Sequence, residues 1–292
     1  MPAARIVLLT AIAMIAFASN SLLCRVALKH TAIDPASFTT VRLVSGALAL
    51  WLIVRLRSPR LPSAAGRGNW LSALALYAYA AGFSFAYVNL AAASGALLLF
   101  GAVQATMIGR GIAAGERLAP RQWAGLLLAL AGLVGMLLPG LTAPPLAGAL
   151  LMMGAGVAWG VYSLRGKGAG DATSVTAGNF VRAAPIAVAM SAAIALVRAN
   201  GLAVDGAGLL YAVASGALTS GIGYAIWYAA LPGLRATSAA TVQLSVPVIA
   251  ALGGVAFLGE ALTVRLVAAS VAILGGIALV ILKKRIGTTA QR

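Results

Sequence analysis

Long apolar runs, broken at Pro, Gly and Arg clusters, divide this chain into ten stretches: 6–24, 36–54, 70–92, 94–113, 121–138, 146–164, 174–197, 207–230, 236–258 and 263–282. Each is close to the ~20 mostly apolar residues that a helix needs to cross a bilayer. What lies between them is too short for a soluble domain. The pattern also recurs. Gly115-Glu116-Arg117-Leu118 closes one apolar run and opens the next, and Gly259-Glu260-Ala261-Leu262 does the same 144 residues later. At that spacing Arg121 falls on Arg265, Gly132 on Gly276 and Val103 on Pro247.

Ala143-Pro144-Pro145 reads as a short stiff connector between the copies, which divides the chain into 1–142 and 143–292. Each half holds five runs. Phe17 through Arg25 can be laid on Trp159 through Lys167, and the second and seventh runs share Val41-Arg42 and Val181-Arg182. Because five is odd, the second copy enters the membrane from the opposite face. The expected fold is an all-α integral membrane protein of ten transmembrane helices, arranged as two inverted five-helix repeats.

Composition agrees: 62% of residues are hydrophobic and 9% charged, too apolar for an ordinary soluble domain. A net charge of +16 suggests a nucleic-acid partner until the charges are placed. With the N-terminus inside, cytoplasmic segments carry Arg5, Arg55, Arg57, Arg60, Arg67, Arg110, Arg117, Arg121, Arg165, Lys167, Arg235, Lys283, Lys284, Arg285 and Arg292. The other side carries only Arg25, Lys29, Arg198 and Arg265. That asymmetry predicts both termini in the cytoplasm, with the basic clusters meeting anionic lipid head groups rather than nucleic acid. Residues 1–20 also have the look of a signal peptide, with Ala16-Phe17-Ala18 as a cleavage-like site. The match of this run to the sixth favours retention. The single cysteine, Cys24, excludes an internal disulfide, and the single histidine, His30, falls in an outer loop.

Chemistry must come from few groups. Glu116 and Glu260 sit at helix corners, each with an Arg five residues on (Arg121, Arg265), so the expected role is structural: a cap on the following helix and a local ion pair. None of the five acidic residues falls in mid-span, so a deep proton-carrying carboxylate is not expected and facilitated diffusion stays open beside coupled transport. Arg42 and Arg182 lie within spans. Each is read either as snorkelling onto backbone carbonyls or as a gate or substrate-carboxylate contact. Tyr79, Phe83 and Tyr87 share one helix face, Phe100 and Gln104 another, and Ser220, Tyr224, Trp227 and Tyr228 form a third stripe. Gln243 and Ser245 stand just before the Pro247 break. With Trp159, these rings, amides and hydroxyls are candidate lining for a central cavity suited to a zwitterion with an apolar side chain; helix-packing filler is the rival reading. Trp51, Trp70 and Trp123 fit an interfacial belt instead.

The duplicated Gly-Glu-x-Leu turns at 115–118 and 259–262, their Gly-studded following helices, Pro247, the Arg42 and Arg182 positions and the Ser19-Asn20-Ser21 step together carry a resemblance. The chain resembles the drug/metabolite transporter superfamily, in particular its EamA-type ten-helix members, and among those the YddG-like amino-acid exporters. Val103, where such proteins commonly place a proline, departs from the pattern. The resemblance implies export of small metabolites, amino acids first, across the bacterial inner membrane, by a monomer or weak homodimer without cofactor or metal. A sugar-phosphate, nucleotide-sugar or drug carrier of the same superfamily is the alternative. An intramembrane enzyme is disfavoured, since it needs His, Asp or Ser–Lys clustered at depth.

Overall fold

A computed structural model describes residues 2–57, 67–115, 118–138, 143–166, 171–197, 201–230, 233–234, 242–243 and 245–281. Glu116 lies outside the described residues. The described chain is helical throughout, with no strand, and contains ten main helices. They are α1 (Ala3–His30), α2 (Pro35–Arg57), α3 (Trp70–Tyr87), α4 (Ala92–Ala113) and α5 (Pro120–Leu137), then α6 (Leu146–Gly166), α7 (Ala172–Val197), α8 (Gly206–Ala230), α9 (Ser245–Leu258) and α10 (Val264–Ile281). Six of them, α1, α2, α4, α6, α7 and α8, are long and apolar enough to cross a membrane by length and composition.

Burial runs opposite to that of a water-soluble bundle. Leu56, Leu196, Phe257 and Val264 stand exposed on the outside, while Asn20, Ser21, Thr39, Arg42, Ser84, Asn179, Ser215 and Ser220 are buried. A broad apolar exterior around a core that also encloses these polar groups is stable only where the surroundings are hydrocarbon. Trp51, Trp70 and Trp123 are exposed, as an interfacial position requires.

The helix ends follow from local chemistry. Asp34 caps α2 by accepting from the Ala36 and Ser37 amides at 2.8 and 3.0 Å and from the Ser37 hydroxyl at 2.7 Å. Oδ2, which holds the Ser37 hydroxyl, also takes the Ala203 amide at 2.9 Å, tying the α7–α8 connection to the same corner. Asp171 opens α7 in the same Asp-x-x-Ser manner, accepting from the amide and hydroxyl of Ser174. Counted from these caps, Arg182 stands three residues, nearly one turn, further into its helix than Arg42 does. The shared Val-Arg pairs therefore stand at different distances from their helix caps. Gly115 and Gly259 have φ of +91° and +60°; the left-handed backbone that ends α4 and α9 needs glycine, which explains why each corner pattern begins with one.

Helices pack α5 on α10, α3 on α6, α2 on α7, α4 on α6, α2 on α8, α1 on α8 and α9, and α4 on α9. The α5–α10 pair is closest at Gly132 and Gly276, where an added Cβ would come within 2.7 Å of Ala272 Cβ and 2.6 Å of the Ala129 amide. Gly135 and Gly275 face no neighbour within 4 Å, so they are not part of that contact. Three expectations change. The first helix runs on to His30, which places that histidine in its last turn, and α3 stops at Tyr87 rather than 92. The third change is inside α8: Ala214–Ile222 is π-helical between two α-helical segments.

Candidate functional site

A small cavity of about 20 Å³ sits where α1, α3, α4, α6 and α8 meet. Its walls include Phe17, Asn20 and Ser21 of α1, Tyr79 and Phe83 of α3, and Phe100 of α4. Leu99, also of α4, Trp159 of α6, and Thr219 and Tyr224 of α8 complete them. That volume is about what one water requires, so the walls are closed on each other in this conformation. The rings interlock: Tyr79 lies 4.8 Å from Trp159 and 5.5 Å from Phe83, and Tyr224 lies 5.2 Å from Trp159 and 5.7 Å from Phe17, centroid to centroid. Such pairs contribute about 0.5–1.5 kcal/mol each beyond burial.

Behind the Tyr79 and Phe83 rings lies Arg42, 1% exposed. Its guanidinium carbon is 5.2 Å from the Tyr79 centroid and 4.9 Å from that of Phe83. Nη2 donates to the Tyr79 hydroxyl at 3.0 Å and Nε to Ser220 Oγ at 3.4 Å, while Nη1 has no acceptor among the described residues. A buried guanidinium stays charged; the two ring faces offset part of its lost hydration. Asn20 extends the network. Its Nδ2 donates to the Tyr79 hydroxyl at 3.4 Å, and its Oδ1 accepts from Ser215 Oγ at 2.6 Å and Thr219 Oγ1 at 3.1 Å. Ser215, Thr219 and Ser220 all belong to the π-helical part of α8, whose widened turn puts three hydroxyls against α1 and α2.

Two polar layers flank the cavity. At the end where α3 begins, Arg165 donates to Ser72 Oγ and Asn69 Oδ1, both at 3.1 Å. There Asn179 Oδ1 accepts the Asn69 amide at 3.0 Å, and Arg182 donates to the carbonyls of Arg67 and Gly178 at 2.7 and 3.0 Å. Arg182 is thus committed to backbone, whereas Arg42 faces the interior and does not snorkel. At the opposite end, Arg25 donates to the carbonyls of Tyr87 and Val88 at 2.9 and 3.0 Å and faces Glu260 at 3.5 Å. Both Glu260 oxygens accept from the Ala92 amide, at 3.0 and 2.9 Å. The corner carboxylate therefore caps α4, not the helix that follows it, and pairs with Arg25. Arg265 donates instead to the Leu138 carbonyl.

Of the residues expected to line a cavity, Tyr79, Phe83, Phe100, Trp159 and Tyr224 come together. Gln104 is buried outside the lining, and Gln243 is half-buried and also outside it. Ser245 faces a separate apolar cleft with Thr10 and Met14, its hydroxyl turned to the Val242 carbonyl at 2.7 Å. Pro247 is buried in α9. Phe17, Asn20, Ser21, Leu99 and Thr219 line the cavity beyond the expected set, and the polar Asn20 within an apolar run is the sequence signal for them. Among the described residues no three His, Cys, Asp or Glu side chains gather as metal ligands would.

Comparison with known proteins agrees with this architecture. Residues 146–282 match the EamA-like transporter family. An uncharacterized protein of Pseudomonas aeruginosa is 57% identical over 291 residues, covering 100% of this chain and 99% of its own. A crystal structure of a protein 21% identical covers 94% of this chain and 96% of its own at a TM-score of 0.66, a likeness of fold alone. The second half of the chain, residues 146–282, thus matches an EamA-like transporter domain, and six of the described helices are long and apolar enough to cross a membrane.

Proposed function

We propose that this chain is a secondary transporter that exports small amphipathic metabolites, amino acids with aromatic or apolar side chains first among them, across the bacterial inner membrane. Both termini face the cytoplasm in this reading, and the nearest functional branch is the YddG-like amino-acid exporters. The observation that carries it is the ring-lined cavity held between two polar layers. Transport needs a site that opens to one side while the other stays sealed, and polar ties that break and reform at each end are suited to that cycle.

The packing supports an inverted repeat. If α1 corresponds to α6 and α3 to α8, the α3–α6 contact should recur as α8 on α1, and the α4–α6 contact as α9 on α1. Both recurrences occur. The rings follow the same exchange: Phe17 of α1 meets Tyr224 of α8, and Trp159 of α6 meets Tyr79 of α3. Two halves that pack in equivalent ways have two equivalent states, which is the basis of alternating access. A sugar phosphate is less suited to this site. It carries about two negative charges, and among the described residues, with Arg182 bound to backbone carbonyls, only Arg42 is near the lining.

Counterflow in proteoliposomes with a panel of labelled amino acids tests the reading. The expected result is exchange of at least one aromatic or apolar amino acid, lowered tenfold or more by Tyr79→Ala and Trp159→Ala at equal reconstitution. Exchange of a sugar phosphate with none of the amino acids would overturn it.

A further inference from the structure

We infer that the group this site reads is a carboxylate, with the ammonium of an amino acid left unread, so that aryl- and alkyl-carboxylate monoanions are its preferred ligands. The inference rests on the transporter reading for the location of the ligand and narrows its substrate class, ranking simple carboxylates ahead of the amino acids. Its basis is a count of donors and acceptors around the cavity.

The Tyr79 hydroxyl, on the cavity wall, receives two N–H donors, from Arg42 Nη2 and Asn20 Nδ2. Both lone pairs are thereby used, and its own proton is left to donate. The carbonyl oxygen of Asn20 accepts from the Ser215 hydroxyl at 2.6 Å and lies 3.1 Å from the Thr219 hydroxyl, whose one proton is shared with the Ser215 carbonyl at 2.7 Å. Arg42 Nη1 is a second donor without an acceptor, fully buried, on a guanidinium that stacks against two of the lining rings. The ion pairs among the described residues are Arg25–Glu260 and Arg67–Asp171, so Arg42 has no carboxylate partner there.

Among the described residues no acidic side chain lines the cavity. An ammonium entering it meets ring faces and hydroxyl lone pairs, and is repelled by Arg42 across a medium that screens poorly. A carboxylate meets the opposite situation. It accepts the Tyr79 proton, is attracted by the Arg42 charge that lies behind the Tyr79 and Phe83 rings, and leaves an apolar body for Phe83, Phe100, Trp159 and Tyr224 to surround. The site is a donor set with rings around it, and the ligand that complements a donor set is an anion.

The test is a titration of the full chain in detergent with four ligands of one shape: 3-phenylpropanoate, phenylalanine, 3-phenylpropanol and phenethylamine. Trp159 fluorescence reports occupancy, with Trp159→Phe removing the signal. The expected order has the carboxylate at least tenfold tighter than the alcohol, phenylalanine weaker than the carboxylate, and the amine weakest. Arg42→Gln brings the carboxylate down to the affinity of the alcohol, and Arg42→Lys keeps part of the preference. The inference is overturned if phenylalanine or the amine binds as tightly as the carboxylate, or if Arg42→Gln keeps the carboxylate preference. Should Arg42→Gln fail to fold, the order in the wild-type chain decides alone. Counterflow separates the two readings. The expected binding order without flux would defeat the transporter reading and leave the site, whereas flux of amines or zwitterions without carboxylate preference would do the reverse.

Discussion

Glu260 holds two partners at once, and two substitutions separate them. Its oxygens accept from the Ala92 amide, and Oε1 faces Arg25 Nε at 3.5 Å with side chains only 9% and 13% exposed. At that distance the gross attraction is about 5 kcal/mol for an effective dielectric of ~20. Desolvation of both charges offsets most of it, and Arg25 retains the Tyr87 and Val88 carbonyls when the carboxylate is lost. Glu260→Gln keeps an acceptor for Ala92 and loses the charge, both against Arg25 and against the positive end of α4, so it costs about 1–2 kcal/mol. Glu260→Ala also orphans the Ala92 amide, which adds about 1–3 kcal/mol. Reversible unfolding in SDS measures both. A double-mutant cycle then identifies the partner: Glu260→Gln with Arg25→Gln should couple by about 1 kcal/mol or more, and Glu260→Gln with Arg265→Gln by less than ~0.5 kcal/mol. Equal stability of Glu260→Gln and Glu260→Ala, or coupling to Arg265 in place of Arg25, refutes this reasoning.

Tyr79→Phe removes the oxygen shared by Arg42 and Asn20; stability should fall by about 1–3 kcal/mol in the same SDS assay, with ligand binding lowered at least tenfold. Gly276→Ala pushes a methyl against α5 backbone and should cost about 1–3 kcal/mol, whereas Gly275→Ala, with nothing within 4 Å, should be nearly neutral. Asp171 lies outside the spans. Partial burial raises its pKa, but the Ser174 hydroxyl and amide bonds and the Arg67 charge outweigh this and hold it below the usual carboxylate range. Its stabilising contribution is therefore complete above about pH 4 and fades as pH falls through the lowered folded value. Asp171→Asn should flatten the acid limb of the stability curve below that pH, while an unchanged limb would show the cap contributes nothing.

The helices were legible because each is one apolar run, and the ring face of α3 because Tyr79 and Phe83 stand four residues apart. The corner glycines were legible as punctuation, and their positive φ gives the reason. The partner of Glu260 was not. Arg265 is five residues away in sequence, while Arg25 and Ala92 are brought in by tertiary packing alone. The end of α3 was misplaced for a related reason. No Gly or Pro marks it, and Arg25 terminates it by taking the Tyr87 and Val88 carbonyls from another helix. Arg42 and Arg182 look alike in a Val-Arg pair, yet a three-residue shift from the Asp caps sends one to the interior and the other to backbone. The π-helical stretch of α8 leaves no pattern in Ala214–Ile222 that an α-helix would not also show.

Alternating access at the cavity is the central claim, and labelling of one buried position tests it most directly. Ser21 lines the cavity and is 1% exposed, and Cys24 is the sole native cysteine. In a Cys24→Ser background, Ser21→Cys is treated with a membrane-impermeant maleimide in right-side-out and in inverted vesicles. The account predicts labelling from both sides, suppressed on both by saturating ligand. Labelling from one side only, or from neither while a surface cysteine reacts fully, would contradict it.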